Sequence, residues 1–312
     1  MFSNVSNINF INQKFYPSIM SFFLKRYEKL GEKFDPKEII LKRSLRINTL
    51  KISEKELLER LNKNSVKLRR IPFLDNGYYY ESKFSLGATP EYLQGYYYLQ
   101  EAASQVPAMV LNPKPGELVL DMAAAPGSKT TQIAAYMENK GSIIAIDSNI
   151  HRLESLRDNM ERSGVMNTLL YKKDARYVDD FKLKFDKILL DAPCSGNFAD
   201  DEKWFEERNL EGIKERARLQ RELLKSAVKV LKKDGVLVYS TCTLEPEENE
   251  MNVDWLLKNH SELKLEDIDI SVGDPGLTNV FGEKLNSEIK KCKRFWPHKT
   301  GTQGFFIAKL RK

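Results

Sequence analysis

Beyond Tyr96 the chain alternates. Apolar runs at 118–122, 142–147, 168–171, 187–190 and 236–239 are separated by stretches with helical spacing. Near-continuous apolar strands with a helix between each pair require a parallel sheet covered on both faces. Such a sheet places ligands outside the carboxyl ends of its strands. Two more strands, 294–296 and 304–308, follow each other without a helical stretch. They predict an antiparallel pair closing the sheet. The expected fold class is therefore α/β, a Rossmann-like and mostly parallel sheet with an antiparallel edge strand.

The first third of the chain reads differently. Phe15, Ile19, Phe22, Phe23, Tyr27 and Leu30 have helical spacing and Gly31 offers a stop. Asp35-Pro36 opens a short helix, and 45–50 reads as a strand. Ser53 with Glu56 forms a capping box for a helix to about Leu61. Strands at 66–68 and 78–80 follow, the second after an Asn76-Gly77 turn. This order predicts a small α+β domain of RRM-like topology over residues 1–92, with residues 93–312 forming the larger domain. The RNA-binding signature of that small fold is absent, so topology alone does not assign RNA. Charge is more telling. Residues 1–116 hold 18 Lys and Arg against 11 Asp and Glu, whereas the remainder holds 32 against 33. The whole basic excess lies in the first third, as in a polyanion-docking module.

Chemistry concentrates at the predicted strand ends. Strand 118–122 runs into Ala123, Ala124, Ala125, Pro126, Gly127, Ser128 and Lys129 before a helical stretch. Small residues at such a turn let a ligand approach the backbone. Asp147 lies 20 residues after Gly127 at the next strand end, where doubly wound nucleotide sites bind ribose. Asp174 follows the third strand in the same way. The glycine pattern for NAD and the P-loop pattern for ATP are both missing. S-adenosylmethionine, which has no phosphate to cradle, is the common ligand that remains. Two of the three cysteines also stand at strand ends, in Asp191-Ala192-Pro193-Cys194-Ser195 and Ser240-Thr241-Cys242-Thr243. A free cysteine is ordinarily an inert buried hydrophobe. Two in this placement, one beside an aspartate, point to thiolate attack on a ring that needs activation.

These residues resemble the Sun/Fmu-type (RsmB/NOP2/Sun-like) RNA cytosine-carbon-5 methyltransferases. The matching stretches are Leu45-Arg46-Ile47-Asn48-Thr49-Leu50, Gln100-Glu101-Ala102-Ala103-Ser104, the 121–129 loop, both cysteine motifs, and Phe295-Trp296-Pro297-His298 with Gly304-Phe305-Phe306. They run in the family's order from residue 45 to the C-terminus. The resemblance implies a class I S-adenosylmethionine-dependent methyltransferase fold. It implies that residues 123–129 hold the methionine end of the cofactor, that Asp147 with Arg152 binds the ribose, and that Asp174 faces the adenine. Asp191 would stand between cofactor and base. Cys242 matches the family's nucleophile and Cys194 the cysteine that assists release. The compact chain is most similar to archaeal tRNA members, which implies tRNA as the RNA partner; a monomer is expected, and the distant cysteines favour the reducing cytoplasm. Ser128 departs from the family's usual glycine. The stretch 197–207, with Asp200, Asp201, Glu202, Glu206 and Glu207, is unusually acidic for a loop bordering the substrate entrance.

The competing readings are weaker. A DNA cytosine methyltransferase would use the proline-cysteine and has no need of Cys242. A ribosomal RNA substrate, or an RNA-binding protein that retains only the fold, are the nearer alternatives. Three distant cysteines predict no disulfide framework, and scattered histidines predict no metal site. No apolar run reaches the roughly 20 residues of a membrane span.

Overall fold

The computed structural model describes residues 17–201 and 203–312, with side chains from Met20 onward. Phe15, the side chain of Ile19, and Glu202 lie outside the described residues. The first helix, α1 (Pro17–Lys29), buries Phe23 and Tyr27, one turn apart. A 3-10 turn at Pro36–Glu38 follows, and the Asp35 carboxylate accepts from the Lys37 amide. This is the short helix expected at Asp35-Pro36.

The small sheet is built from β1 (Ser44–Ile47), α2 (Glu54–Lys63), β2 (Lys67–Arg70), β3 (Gly77–Glu81), α3 (Pro90–Leu93) and β4 (Tyr97–Leu99). Its order is β2-β3-β1-β4, antiparallel throughout. The β-α-β-β-α-β connectivity has the predicted RRM-like form. Strand β4 lies past residue 92, so we place the division between the units near residue 100; its run of only three residues hid it in the sequence. Strand β1 stops at Ile47, short of residue 50, where the chain turns at Asn48. Its side-chain amide donates to the Gly95 and Ser163 carbonyls at 2.8 Å each. One face of the sheet buries Leu45, Ile47, Tyr78 and Tyr97 beneath Leu57 and Leu61 of α2.

The larger unit opens with α4 (Ala102–Leu111). It continues through β5 (Leu118–Asp121), α5 (Ser128–Tyr136), β6 (Ser142–Asp147), α6 (Ile150–Ser163), β7 (Thr168–Lys172) and β8 (Phe185–Asp191). Next come α7 (Trp204–Glu207), α8 (Leu210–Val230), β9 (Leu231–Thr241), α9 (Glu250–Asn259), β10 (Lys264–Glu266), β11 (Asp274–Pro275), the hairpin strands β12 (Asn279–Val280) and β13 (Glu283–Lys284), β14 (Lys293–Phe295), α10 (Pro297–Thr300) and β15 (Phe305–Arg311). Strands β7-β6-β5-β8-β9 are parallel, and β15, β14 and β11 extend the sheet in antiparallel pairing. The antiparallel part is thus three strands wide, with β10 also paired to β15, rather than one edge strand. The last two strands are joined by the single helical turn α10, not directly. Trp296-Pro297 starts that turn, with proline where its missing N–H costs nothing.

Alternate residues of β5, β6, β8 and β9 face two cores. Leu120, Ile144, Ile188 and Leu237 enter one, and Val119, Ile143, Leu189 and Val238 the other. Strand order reverses between β5 and β8, and the crevice for a ligand lies there, outside their carboxyl ends.

Two buried arginines tie the architecture together. Arg46 leaves β1 and enters the larger unit, donating to the Ser128 carbonyl at 2.7 Å and to Thr131 Oγ1 at 2.8 Å. Burial pushes its guanidinium down to about 10. Arg294 on β14 pairs with Glu250 at 2.5 Å, with both side chains wholly buried. It also donates to the Leu244 carbonyl at 2.7 Å. Glu250→Ala leaves that guanidinium without its counter-charge, and should lower stability by about 3–5 kcal/mol. Urea unfolding of the two proteins measures this, and a loss under about 1 kcal/mol contradicts it.

Candidate active site

The site follows from strand register. Strands β8 and β9 run side by side, with Asp191 opposite Ser240. The two cysteine motifs are therefore stacked at adjacent strand ends, and the Sγ atoms of Cys194 and Cys242 lie 2.8 Å apart. A polar scaffold holds the two loops together. The Ser195 and Thr243 hydroxyls share a hydrogen bond at 2.9 Å, and the Ser195 amide donates to Glu248 at 3.1 Å. Gln220 of α8 donates to Glu248 at 2.6 Å and to the Pro193 carbonyl at 3.0 Å. Asn197 bridges the Cys242 and Gly304 carbonyls at 2.8 and 3.3 Å. A Cβ at Gly304 would meet Leu244 at 2.8 Å, so this close approach requires glycine.

The two thiols touch, yet their surroundings differ. The hydrogen bond with Cys242 and burial push the Cys194 thiol well above the usual range, and the Glu248 carboxylate adds to the effect. Glu248 itself is wholly buried, and desolvation raises it to about 7. On the other side lies Lys129, whose ammonium sits 2.6 Å from Asp191. Burial works against its charge, but Asp191 outweighs it, with Cys242 and Asp121 contributing, so Lys129 is held above its ordinary value. Asp191 also accepts from the Ser240 hydroxyl at 2.7 Å. The Lys129 ammonium thus feels Cys242, and the Cys194 thiol feels Glu248.

The predicted loop contributes Ala123 to a crevice that Pro193, next to Cys194, also lines. Ala123, Ala124, Ala125, Pro126 and Gly127 carry the chain from β5 into α5, which begins at Ser128-Lys129. Gly127 has φ +104° and a Cβ there would meet Leu156 at 2.8 Å, so the turn needs glycine twice over. The crevice, about 650 Å³, is lined by Ala123, Asp147, Ser148, Arg152, Asp174 and Pro193, among others. Asp147 is nearly buried, and accepts from the Asn149 amide at 2.9 Å. Arg152 lies 3.4 Å from its other oxygen and donates to the Ala125 carbonyl. Asp174 lines the far end but is engaged: Arg176 pairs with it at 2.6 Å and holds its carboxyl below the usual range. Of the site residues named from the sequence, Ala123, Asp147, Arg152 and Asp174 line this crevice, while Cys194 lines a separate one with Arg208 and Asn209.

Sequence reasoning missed the residues behind these. Asp121, buried at the end of β5, accepts from Thr130 at 2.8 Å and is raised to about 7 by desolvation. Its second oxygen has no partner among the described residues. The role of Glu248 was signalled by the acidic string Glu245-Pro246-Glu247-Glu248 just after the second cysteine motif. Gln220 gave no such sign in the middle of α8. The acidic loop also proves largely occupied. Asp201 caps the next turn through the Lys203 amide, Glu207 pairs with Arg208 at 3.4 Å, and burial raises Asp200 to about 6. Its Phe198, Trp204 and Phe205 pack under Phe23 and Tyr27 of α1. Among the described residues no group of His, Cys, Asp and Glu is placed to hold a metal, and no helix is long and apolar enough to cross a membrane.

Comparison with known proteins adds the context. The family described as 16S rRNA methyltransferase RsmB/F matches residues 108–311, and the N-terminal domain of 16S rRNA methyltransferase RsmF matches residues 11–102. A tRNA (cytosine(72)-C(5))-methyltransferase of Pyrococcus horikoshii is 48% identical over 228 residues, covering 73% of this chain and 55% of that protein. A tRNA (cytosine(49)-C(5))-methyltransferase of Pyrococcus abyssi is 40% identical over 297 residues, covering 93% and 95%. The chain thus spans about half of the first relative and nearly all of the second. The crystal structure of NSun6 from Pyrococcus horikoshii with SFG superposes with a TM-score of 0.79 at 35% identity, covering 92% of this chain and 93% of that one.

Proposed function

Because the chain belongs to the RsmB/F methyltransferase family, we propose that it methylates carbon 5 of cytosine in RNA, with S-adenosylmethionine as donor and Cys242 as nucleophile. The observation that carries this reading is the meeting of two thiols, 2.8 Å apart at adjacent strand ends, with Asp191, paired with Lys129, at the end of the strand that leads to Cys194.

The crevice suits the donor. Its turn is made of small side chains, and carboxylates rather than a phosphate cradle stand at the ends of β6 and β7. The unpartnered Asp121 oxygen beside Lys129 and Asp191 suits a cationic amino group nearby. SFG, bound in the NSun6 structure, is an analogue of S-adenosylmethionine. Asp147 and Arg152 would hold the ribose, Ala123–Lys129 the amino-acid end, and Asp174 the adenine side. Bound there, S-adenosylmethionine supplies an electrophilic methyl group.

The protein's own groups do the rest. Carbon 5 of cytosine is a poor nucleophile until carbon 6 takes an added group. The Cys242 sulfur, as thiolate, bonds carbon 6 while the ring electrons move toward N3. Asp191, paired with the Lys129 ammonium at 2.6 Å, relays a proton from that ammonium to N3 and stabilises the charge formed there. Carbon 5 then attacks the methyl group. Once the Cys242 sulfur is bonded, its charge no longer opposes ionisation of Cys194. Cys194, its own proton released to solvent, then takes the carbon-5 proton; that C–H pair restores the ring double bond, Cys242 leaves with the C–S pair, and N3 returns its proton by way of Asp191. The base must leave its stack to reach these groups.

tRNA is the proposed substrate because both archaeal relatives are named for tRNA; the family description names 16S rRNA. Incubating the protein with unmodified tRNA and with a 16S rRNA fragment, then quantifying 5-methylcytidine, separates the two. Product in the tRNA supports this reading, and product in rRNA alone overturns it.

Asp147→Ala should weaken donor binding about tenfold to a hundredfold, because a charge-assisted hydrogen bond of roughly 1.5–3 kcal/mol is lost. Calorimetric titration reads this, with thermal unfolding as the check on fold. Unchanged affinity would place the ribose elsewhere.

A further inference from the structure

The small sheet has one face covered by α2 and another that points away from it. Strand alternation puts Lys67 and Arg69 of β2 on the second face, with Tyr79 of β3 opposite Arg69 and Ser44 of β1 opposite Tyr79. Lys42, two residues before Ser44, continues the same side, and Arg43 lies beside it. Lys42, Arg43, Lys67, Arg69 and Tyr79 line an open groove. All four cations are exposed, and none lies within 4.0 Å of a carboxylate among the described residues. Their neighbours behave differently: Arg70 on the same strand is paired with Glu54 at 3.0 Å, and Arg60 with Glu56 at 2.9 Å. Glu81 is the one carboxylate lining the groove. Unneutralised like charges at this density cost the fold electrostatic repulsion, and that cost is removed when a polyanion binds.

Two of the cations are pre-oriented. The Lys42 ammonium lies 5.5 Å from the Tyr79 ring centroid and the Arg69 guanidinium 5.4 Å from the same ring. The groove also leads toward the thiols. The Lys42 ammonium is 3.9 Å from where a Cβ of Gly301 would stand. Three residues on, Gly304 is bridged by Asn197 to the Cys242 carbonyl, and a three-residue step spans at most about 11 Å. Tyr79 feels the Glu101 carboxylate, which accepts from the Gln303 amide at 3.1 Å.

We infer that this groove seats the sugar–phosphate backbone of the substrate RNA next to the target cytosine, with Lys42, Lys67 and Arg69 as phosphate contacts. The inference rests on the RNA reading above and adds a location to it. The seat is sequence-independent, because it offers cations to phosphates rather than hydrogen-bonding groups arranged for base edges.

The triple variant Lys42→Gln/Lys67→Gln/Arg69→Gln tests this. Each lost phosphate contact should lower the slope of log affinity against log salt by about 0.7–0.9, so the triple change should lower it by about 2. KM for tRNA should rise at least about tenfold at moderate salt, while kcat at saturating RNA and affinity for S-adenosylmethionine stay within about twofold. The charge-preserving variant Lys42→Arg/Lys67→Arg/Arg69→Lys should restore slope and KM. An unchanged slope and KM overturn the inference, as does a loss confined to kcat or a failure of the charge-preserving variant to restore binding. If the parent protein forms no 5-methylcytidine in any RNA, the functional reading fails. The salt slope still decides the groove separately.

Discussion

Cys194→Ala protein, incubated with substrate RNA and S-adenosylmethionine, should accumulate a covalent protein–RNA species that survives denaturation and migrates as a slow band. The reasoning rests on order of events. Cys242 can still add to carbon 6, and carbon 5 can still take the methyl group, because Lys129 and Asp191 are untouched. What is missing is the second sulfur, 2.8 Å from the first, which removes the carbon-5 proton. Elimination stalls, and the C–S bond persists. The band should be absent for Cys242→Ser and for the double variant. A band from Cys242→Ser instead would make Cys194 the nucleophile.

Cys242→Ser should lose methyl transfer by on the order of a thousandfold or more, with donor affinity unchanged. A serine hydroxyl is far less acidic and less nucleophilic than a thiol at neutral pH, so it offers no equivalent anion. Radiolabelled methyl transfer to tRNA measures the loss, and calorimetry checks the donor site. Turnover within about tenfold of the parent protein would exclude Cys242 from covalent catalysis.

How much of this could be read in the chain depends on the range of the forces involved. The turn at Gly127, the carboxylate at Asp147 and the strand-end cysteines are local signals. A glycine that needs φ +104°, or a polar residue ending an apolar run, is visible within a few positions. The alternation of strands and helices then fixed the parallel sheet, since only one arrangement covers both faces of such strands. What the sequence hid is the set of contacts between distant residues. Nothing near Gln220 announces that it joins Glu248 to the Pro193 carbonyl across the two cysteine loops. Arg46 reads as an ordinary strand residue, yet its buried guanidinium fastens the small sheet to the start of α5. The acidity of the 197–207 loop looked out of place beside RNA. Its structure shows Asp201 spent on a cap and Phe198, Trp204 and Phe205 buried against α1. Tyr97–Leu99 was too short to register as a strand, and only its pairing with β1 assigns it to the small sheet.

RNA carrying 5-fluorocytosine offers the most direct test of Cys242 as the attacking group in the unaltered protein. Fluorine occupies the position from which a proton must leave, so elimination cannot follow methyl transfer and the adduct is retained. After nuclease and trypsin digestion, mass spectrometry distinguishes the peptide of residues 188–203, which holds Cys194, from that of residues 234–258, which holds Cys242. The account predicts the nucleotide on the second peptide, attached at Cys242. A nucleotide attached at Cys194 would contradict it.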